Sequence, residues 1–502
     1  MDTLQARGLG PSYISDLLQH ALRYSSPPPD RRVFVNRTLR LETIRYIGFD
    51  LDFTLADYAR EPLEETTIEL AAERLIAARG YPDVVRQIEL RPEFPRRGLL
   101  IDKEEGTVLR MNRHRYVGRA YLGRQRLGRS EMVRLYRHEP LRPASGRFYH
   151  VDSLFELPET NLFSELVELK ERHPSLDLPD YPRLFEDVRN AIDWVHAEGD
   201  LKARILADPE RFIPRDPDMI LALLRLALGK RKLILLTNSD WSYANGVCSY
   251  LFDNAMPGLD SWRQLFDLVI VSSGKPAFFR EERKFKRLDD KDGREIGSSD
   301  APKWGGVYSG GCLDGMMQLL DCRGERVLYV GDHIYGDIVT SRRESTWRTL
   351  LIVRELEEEF RQSAELTYEM EQLTDLKRRL AQAGHRMDQL YDVVTLYRRA
   401  LDNGSDLPPE VLETIRDFFA EIKDHHHNLM LRAGRLGDRV ARNFNPYWGS
   451  FFKQATSKTF FAHQMEAFSC LYTSRVSNLG LYGTNHYFRV IEDPMMHETN
   501  GE

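Results

Sequence analysis

Five short apolar runs punctuate the chain: Ile44-Arg45-Tyr46-Ile47-Gly48-Phe49, Lys232-Leu233-Ile234-Leu235-Leu236, Leu268-Val269-Ile270-Val271, Val327-Leu328-Tyr329-Val330 and Thr349-Leu350-Leu351-Ile352-Val353. Each is nearly continuous in hydrophobicity rather than alternating, as strands buried on both faces of a parallel sheet should be. They predict an α/β fold with a doubly wound, Rossmann-like parallel sheet. The first four end in polar residues: Asp50 and Asp52, Thr237-Asn238-Ser239, Ser272-Ser273-Gly274-Lys275, and Gly331-Asp332-His333. In open α/β sheets the site lies outside the carboxyl ends of the strands, so these groups are expected to converge.

From Asp50 to Thr237 the chain spends far more residues than a crossover requires, which predicts a large α+β cap inserted over residues 60–212. Within it, Arg97 to Arg110 reads as a hairpin around a glycine-containing turn. Residues 280–304 are charged and turn-rich, and read as an exposed hairpin or loop. From Glu355 to Asn403 the pattern predicts two long helices, with Leu366, Met370, Leu373, Leu376 and Leu380 near helical spacing. A turn follows over Asp402 to Pro409, with a further helix starting near it. The aromatic-rich tail from Leu436 to Ile491 is expected to be ordered. The division expected is a leader and first strand over 1–59, the cap over 60–212, the core over 213–354, and a helical C-terminal region packed on the core over 355–502.

With 502 residues, 42% hydrophobic and 29% charged, the chain can bury more than one core. Its net charge of -6 supplies no basic field for nucleic acid or anionic membrane. Four cysteines, none in a C-x-x-C pair, suggest neither a disulfide framework nor a cysteine zinc site. No export signal and no membrane span are expected, and a cytoplasmic location fits. His425-His426-His427 lies in a charged helical stretch without matching carboxylates and reads as surface histidines.

Asp50-Leu51-Asp52 offers a nucleophile and an acid/base one residue apart, where both carboxylates can approach one centre. A carboxylate attacking a phosphate dianion needs a hard cation to neutralise charge and hold the phosphoryl group in line. A D-x-D at a strand end also arises by chance in a chain this acidic. The hydroxyl, amine and second acidic cluster at the neighbouring strand ends favour a phosphate site.

The ordered set Asp50-x-Asp52-x-Thr54, Thr237-Asn238-Ser239-Asp240, Lys275-Pro276 and Gly331-Asp332-His333-Ile334-Tyr335-Gly336-Asp337 resembles the four motifs of the haloacid dehalogenase superfamily. The words Arg97-Gly98-Leu99, Leu157-Pro158-Glu159-Thr160, Asp187 to His196, Tyr308-Ser309-Gly310-Gly311 and Trp347-Arg348-Thr349 look more narrowly like cytosolic purine 5'-nucleotidases. The resemblance implies Mg2+-dependent hydrolysis of purine nucleoside 5'-monophosphates, with phosphotransfer to another nucleoside as a side reaction. In it, Asp50 attacks phosphorus and Asp52 protonates the leaving 5'-oxygen, then activates water. Asp50, Asp332 and the backbone carbonyl of Asp52 hold Mg2+. Thr237, Asn238 and Ser239 bind phosphate oxygens, and Lys275 neutralises charge. Asp337 supports the metal's water shell or orients Lys275. A homo-oligomer, dimer or tetramer, is also expected.

Between Phe185 and Lys202, Arg189, Asp193 and His196 fall at i, i+4 and i+7 on one helix face, beside an apolar stripe of Phe185, Val188, Ile192 and Val195. Taken alone, Arg189 and Asp193 read as a surface ion pair. The resemblance makes them purine-edge partners, Phe155 the stacking ring, and His196 and Lys202 further pocket residues. An oxygen at purine C6 suits Arg189 and favours IMP or GMP. Positions resembling the family's effector site are Asp152, Tyr335, Arg343, Gln464 and Phe468. Asp152 replaces an amide there, which argues against activation by ATP-like nucleotides. Two rivals stand beside this reading: a phosphatase of the same superfamily for another phosphomonoester, and a noncatalytic nucleotide sensor.

Overall fold

The computed structural model describes residues 26–490 apart from 138, 144, 406 and 407, together with residue 15. The expected leader before residue 26, residue 15 excepted, lies outside the described residues, as do part of the turn at 402–409 and the chain end from 491. Two compact units form, one from residues up to 357 and from 452 onward, the other from 358–451.

The first unit is built on a ten-stranded sheet. Its strands are β1 (Tyr46–Phe49), β2 (Lys232–Leu236), β3 (Leu268–Val271), β4 (Phe285–Leu288), β5 (Glu295–Ser299), β6 (Val307–Gly310), β7 (Val327–Gly331), β8 (Arg348–Ile352) and β9 (Leu471–Thr473), with Phe34–Val35 at one edge. β1 lies at the centre, paired in parallel with β2 on one side and β7 on the other. From β2 the sheet continues in parallel to β3 and β6; from β7 it continues in parallel to β8 and β9. The five apolar runs are thus five parallel strands, buried as their composition requires. The chain leaves β1 toward β2 but leaves β7 toward β8, so the order reverses between β1 and β7. Ligands of such sheets bind at that reversal.

Residues 280–304 form the hairpin β4–β5, which joins the sheet edge by antiparallel pairing of β4 with β6. Within the C-terminal region expected to be helical, Leu471–Thr473 instead forms β9, which pairs in parallel with β8. Three residues, Leu471-Tyr472-Thr473, are too few to register as an apolar run.

Between β1 and β2 lie α1 (Arg60–Arg79), a five-stranded antiparallel sheet, α2 (Leu157–Arg172), α3 (Tyr181–Ala197) and α4 (Leu201–Ala207). The expected hairpin is there: Leu99–Asp102 pairs antiparallel with Thr107–Met111 across Gly106, whose φ is 67°. The run from Phe185 to Lys202 is not one helix. α3 ends at Ala197 and α4 begins at Leu201, so Lys202 belongs to a different helix from Arg189. A Cβ at the intervening Gly199 would fall 2.8 Å from the Cα of Val195, a close approach only glycine permits.

The second unit holds two 36-residue helices, Thr367–Asp402 and Pro409–Phe444. They pack along a seam of Leu376, Ala383, Leu429, Ala433, Leu436 and Val440, which is why so polar a segment stays helical. His425 and His427 are exposed, while His426 faces Gly384 across the seam. Among the described residues no helix is long and apolar enough to cross a membrane.

Candidate active site

The carboxyl ends of β1, β2, β3 and β7 bring the polar strand endings together. Past β1 the chain turns sharply: the amides of Thr54, Leu55 and Ala56 all donate to the carbonyl of Leu51, and Phe53 sits at φ 54°. A bulky residue enters the left-handed region only when its surroundings hold it there. The Phe53 ring is held between Phe155 at 4.7 Å and Tyr58 at 5.1 Å.

Asp50 accepts a hydrogen bond from the amide of Leu51 at 2.8 Å and pairs with Lys275 Nζ at 3.0 Å. Lys275 also pairs with Asp337 at 2.9 Å and donates to the Tyr329 hydroxyl at 2.7 Å. That hydroxyl shares its own hydrogen between the Leu236 carbonyl at 3.2 Å and Asp337 at 3.3 Å. Two glycines make room for this network. A Cβ at Gly48 would meet the Tyr329 ring at 2.9 Å, and one at Gly331 would lie 2.3 Å from an Asp337 carboxylate oxygen.

Asp50, Asp332 and Asp337 each offer an oxygen, all within 4.8 Å of one another, the one such acidic group among the described residues. Burial pushes the Asp50 carboxyl up to about 7 against the pull of Lys275, and raises that of Asp332 well above the carboxylate range against Arg97. Burial would lower the Lys275 amine, but Asp337 and Asp50 outweigh it and raise it. Asp332 Oδ2 is buried without a hydrogen-bond partner. Three converging carboxylates with one orphaned oxygen form a donor set that fits a hard divalent cation. By its side chain Asp337, rather than Asp52, completes this set.

The Asp52 carboxylate is held elsewhere. Tyr58 donates to one oxygen and Ser239 to the other, each at 2.6 Å, and the Tyr58 hydroxyl is 2.7 Å from that of Tyr243. Burial raises the Asp52 carboxyl, opposed by the hydrogen bonds from Ser239 and Tyr58. Two carboxylates one residue apart therefore have different partners, the arrangement that separates a nucleophile from an acid/base.

Asn238 spends its side chain on the Lys275 loop, accepting from the Lys275 amide at 2.7 Å and from Ser273 at 2.9 Å, and donating to the Lys275 carbonyl at 3.0 Å. Thr237 Oγ1 accepts from the Ser239 amide at 3.1 Å, and its own hydrogen has no acceptor among the described residues. Arg97 donates to the Asp332 carbonyl at 2.7 Å and to Glu355 at 2.9 Å, which fixes the loop after β7.

Phe155 and His196 extend the Phe53 aromatic cluster, with ring centroids 5.2 Å apart. The His196 Nε2 is buried without a partner, and burial, aided by Arg189 and Lys202, holds the ring down to about 4, neutral at physiological pH. Lys202 pairs with Asp240 at 2.6 Å. Arg189 pairs with Asp193 at 2.9 Å and with the buried Glu159 at 2.7 Å, and bonds the Tyr149 hydroxyl. Arg343 lies over Phe468 at 5.2 Å, and burial pushes the Asp152 carboxyl up to about 7.

Tyr58, Tyr243, Tyr329, Arg97, Tyr149 and Glu159 are the contributors that sequence reasoning does not assign to the site. Only Gly48, a glycine inside a buried strand, hints that a large side chain must pass beside β1.

The family model for the 5' nucleotidase family matches residues 33–500. The chain is 31% identical to the human 5'-nucleotidase domain-containing protein 2 over 478 residues, covering 93% of this chain and 85% of that protein. The rat protein of the same name is 32% identical, with 93% and 80% covered. A 5'-nucleotidase domain-containing protein of Dictyostelium discoideum is 30% identical, with 90% and 72% covered.

Proposed function

Because the chain belongs to the 5' nucleotidase family, and so is a nucleoside-monophosphate hydrolase, we propose that it acts on purine 5'-monophosphates, IMP and GMP foremost, through an aspartyl-phosphate on Asp50. The observation that carries this is the division of labour between Asp50, which shares Lys275 and the acidic cluster, and Asp52, which Tyr58 and Ser239 hold apart.

Asp50, Asp332 and Asp337 would hold Mg2+, with the Asp52 carbonyl as a further ligand. When bound, the ion supplies positive charge that lets an anionic nucleophile approach a phosphate. An Asp50 oxygen bonds to phosphorus as the bond to the ribose 5'-oxygen breaks. Asp52, whose raised pKa favours the acid form, gives its proton to that oxygen and the nucleoside leaves. Asp52 then takes a proton from water, whose oxygen bonds to phosphorus. The Asp50–phosphorus bond breaks, releasing phosphate and restoring both carboxyl groups. Lys275 stabilises the charge on the transferring oxygens, and the Thr237 hydroxyl donates to them, while Ser239 is engaged by Asp52. A nucleoside hydroxyl in place of water would make the enzyme a phosphotransferase.

Residues 60–212 act as the cap that selects the base. Phe155 stacks on it, His196 and Lys202 line the pocket, and Arg189, steadied by Glu159 and Asp193, donates to the purine C6 oxygen. A cytosolic homo-oligomer accords with this role. Phosphate release across purine and pyrimidine monophosphates and sugar phosphates at equal Mg2+ tests the substrate class. Equal turnover of sugar phosphates and IMP would overturn it.

A further inference from the structure

The fifth apolar run, Thr349 to Val353, ends in Arg354-Glu355, two charged residues at the same end of the sheet as the site, since β8 runs parallel to β7. The pair is firmly placed: the Val353 amide donates to the Thr473 carbonyl at 2.8 Å, which continues the pairing of β8 with β9. Glu355 reaches the loop after β7 through Arg97. Arg354 reaches the segment that follows β1. Its guanidinium donates to the Tyr58 carbonyl at 2.7 Å and pairs with Asp57 at 3.1 Å.

The ion pair explains little, because both side chains are about a third exposed, at 27% and 35%. The bond to the carbonyl is another matter. Tyr58 is fully buried, in a stretch over 57–59 that belongs to no helix or strand and leads into α1. Helix α1 cannot satisfy that carbonyl, because the residue four positions on is Pro62, which has no N–H. Among the described residues Arg354 is its one donor, and a buried carbonyl needs one. At the other end of the same residue the hydroxyl donates to Asp52 at 2.6 Å. The ring between them is rigid, so the position of the Tyr58 backbone sets the position of the hydroxyl. A shift of about 1 Å would carry the hydroxyl out of hydrogen-bond range of the carboxylate.

We propose that Arg354 is a positioning residue for the proton donor: it fixes the Tyr58 backbone, and Tyr58 in turn holds the Asp52 carboxyl at the leaving oxygen. This rests on Asp52 as the proton donor. The test compares kcat/KM for a nucleoside monophosphate that the wild type hydrolyses with kcat/KM for an aryl phosphate, at saturating Mg2+, with thermal unfolding of the same preparations. Arg354→Met should lower the nucleotide value about fivefold and the aryl phosphate value by less than about twofold, since only the alkoxide needs the proton. Arg354→Lys, which can still donate to the carbonyl, should recover most of the loss. In the Tyr58→Phe background Arg354→Met should have no further effect, because the hydroxyl it places is gone. If Arg354→Met does not fold, Arg354→Asn, polar but shorter, takes its place. Equal loss on both substrates, a lysine variant no better than the methionine one, or additive effects of Arg354→Met and Tyr58→Phe would each overturn the proposal. Asp52→Asn separates the two levels. If it discriminates between the substrates and Arg354→Met does not, the role of Arg354 alone fails; if it treats them alike, the proton-donor reading fails and the role of Arg354 with it.

Discussion

The amine of Lys275 lies 3.0 Å from Asp50 and 2.9 Å from Asp337, so one buried cation ties the ending of β1 to the loop after β7. The strand order of the sheet reverses between these same two strands, and the proposed chemistry sits at that reversal. Lys275→Met should lower kcat by about a hundredfold or more, because a positioned charge on the transferring oxygens is lost. It should also cost about 3–5 kcal/mol of stability, since two buried carboxylates lose their partner. Steady-state kinetics and denaturant unfolding, both with Mg2+ present, check the two effects.

Asp52 is predicted to act as a proton donor to the leaving group. Asp52→Asn should therefore slow a nucleotide, whose leaving alkoxide needs a proton, far more than an aryl phosphate with a good leaving group. Tyr58→Phe removes one hydrogen bond to Asp52 and should cost about 1 kcal/mol of transition-state stabilisation, roughly fivefold in kcat. Comparing the two substrates for each variant is the measurement.

The acidic cluster predicts a pH-dependent stability that Mg2+ removes. Burial raises the Asp50 carboxyl to about 7, whereas an unfolded aspartate titrates near ~4. Between those values the folded chain holds a proton that the unfolded chain has released. Stability of the chelated protein should therefore fall as pH rises from about 4 to about 7. Mg2+ competes for the same oxygens, so its affinity should rise with pH across about 6 to 8, and saturating Mg2+ should flatten the stability profile. Thermal unfolding with chelator and with Mg2+ checks both signs.

Glu355 behaves oppositely. Burial would raise its carboxyl, but Arg97 overrides this and holds it at about 2. Its contribution is fully present above about 4.5 and is lost as pH falls toward 2. Arg97→Gln should destabilise the neutral protein and weaken Mg2+ binding, because Arg97 also donates to the Asp332 carbonyl. Unfolding and Mg2+ titration of this variant are the checks.

Arg189→Ala should raise KM for IMP and GMP about tenfold or more while leaving an aryl phosphate nearly unchanged. Glu159→Gln should give a smaller shift in the same direction, since it removes an anchor of Arg189 rather than a contact to the base. A uniform loss across substrates would refute base reading by Arg189.

The parallel strands and the residues at their ends were legible because burial on both faces writes an unbroken apolar run, and the polar residue that stops it stands out. Asp50, Asp332 and Lys275 follow from that contrast. Tyr329 does not, because a tyrosine inside an apolar strand reads as core, and only its hydroxyl distances reveal the bridge between Lys275 and Asp337. That the carboxylate of Asp337, rather than that of Asp52, joins Asp50 and Asp332 depends on which way each side chain turns, which spacing does not encode. The helix break between Ala197 and Leu201 hinges on Gly199, and one glycine in a helical pattern is a weak stop signal. Strand β9 was hidden because three residues carry no period.

The central claim is that Asp50 takes the phosphoryl group. Rapid acid quenching of the enzyme with phosphorus-labelled IMP and Mg2+ tests it most directly. The account predicts protein-bound label that hydroxylamine releases and that maps to Asp50, with no label and under about a thousandth of the turnover in Asp50→Asn. Turnover by Asp50→Asn near the wild-type rate, or label mapping to another residue, would contradict it.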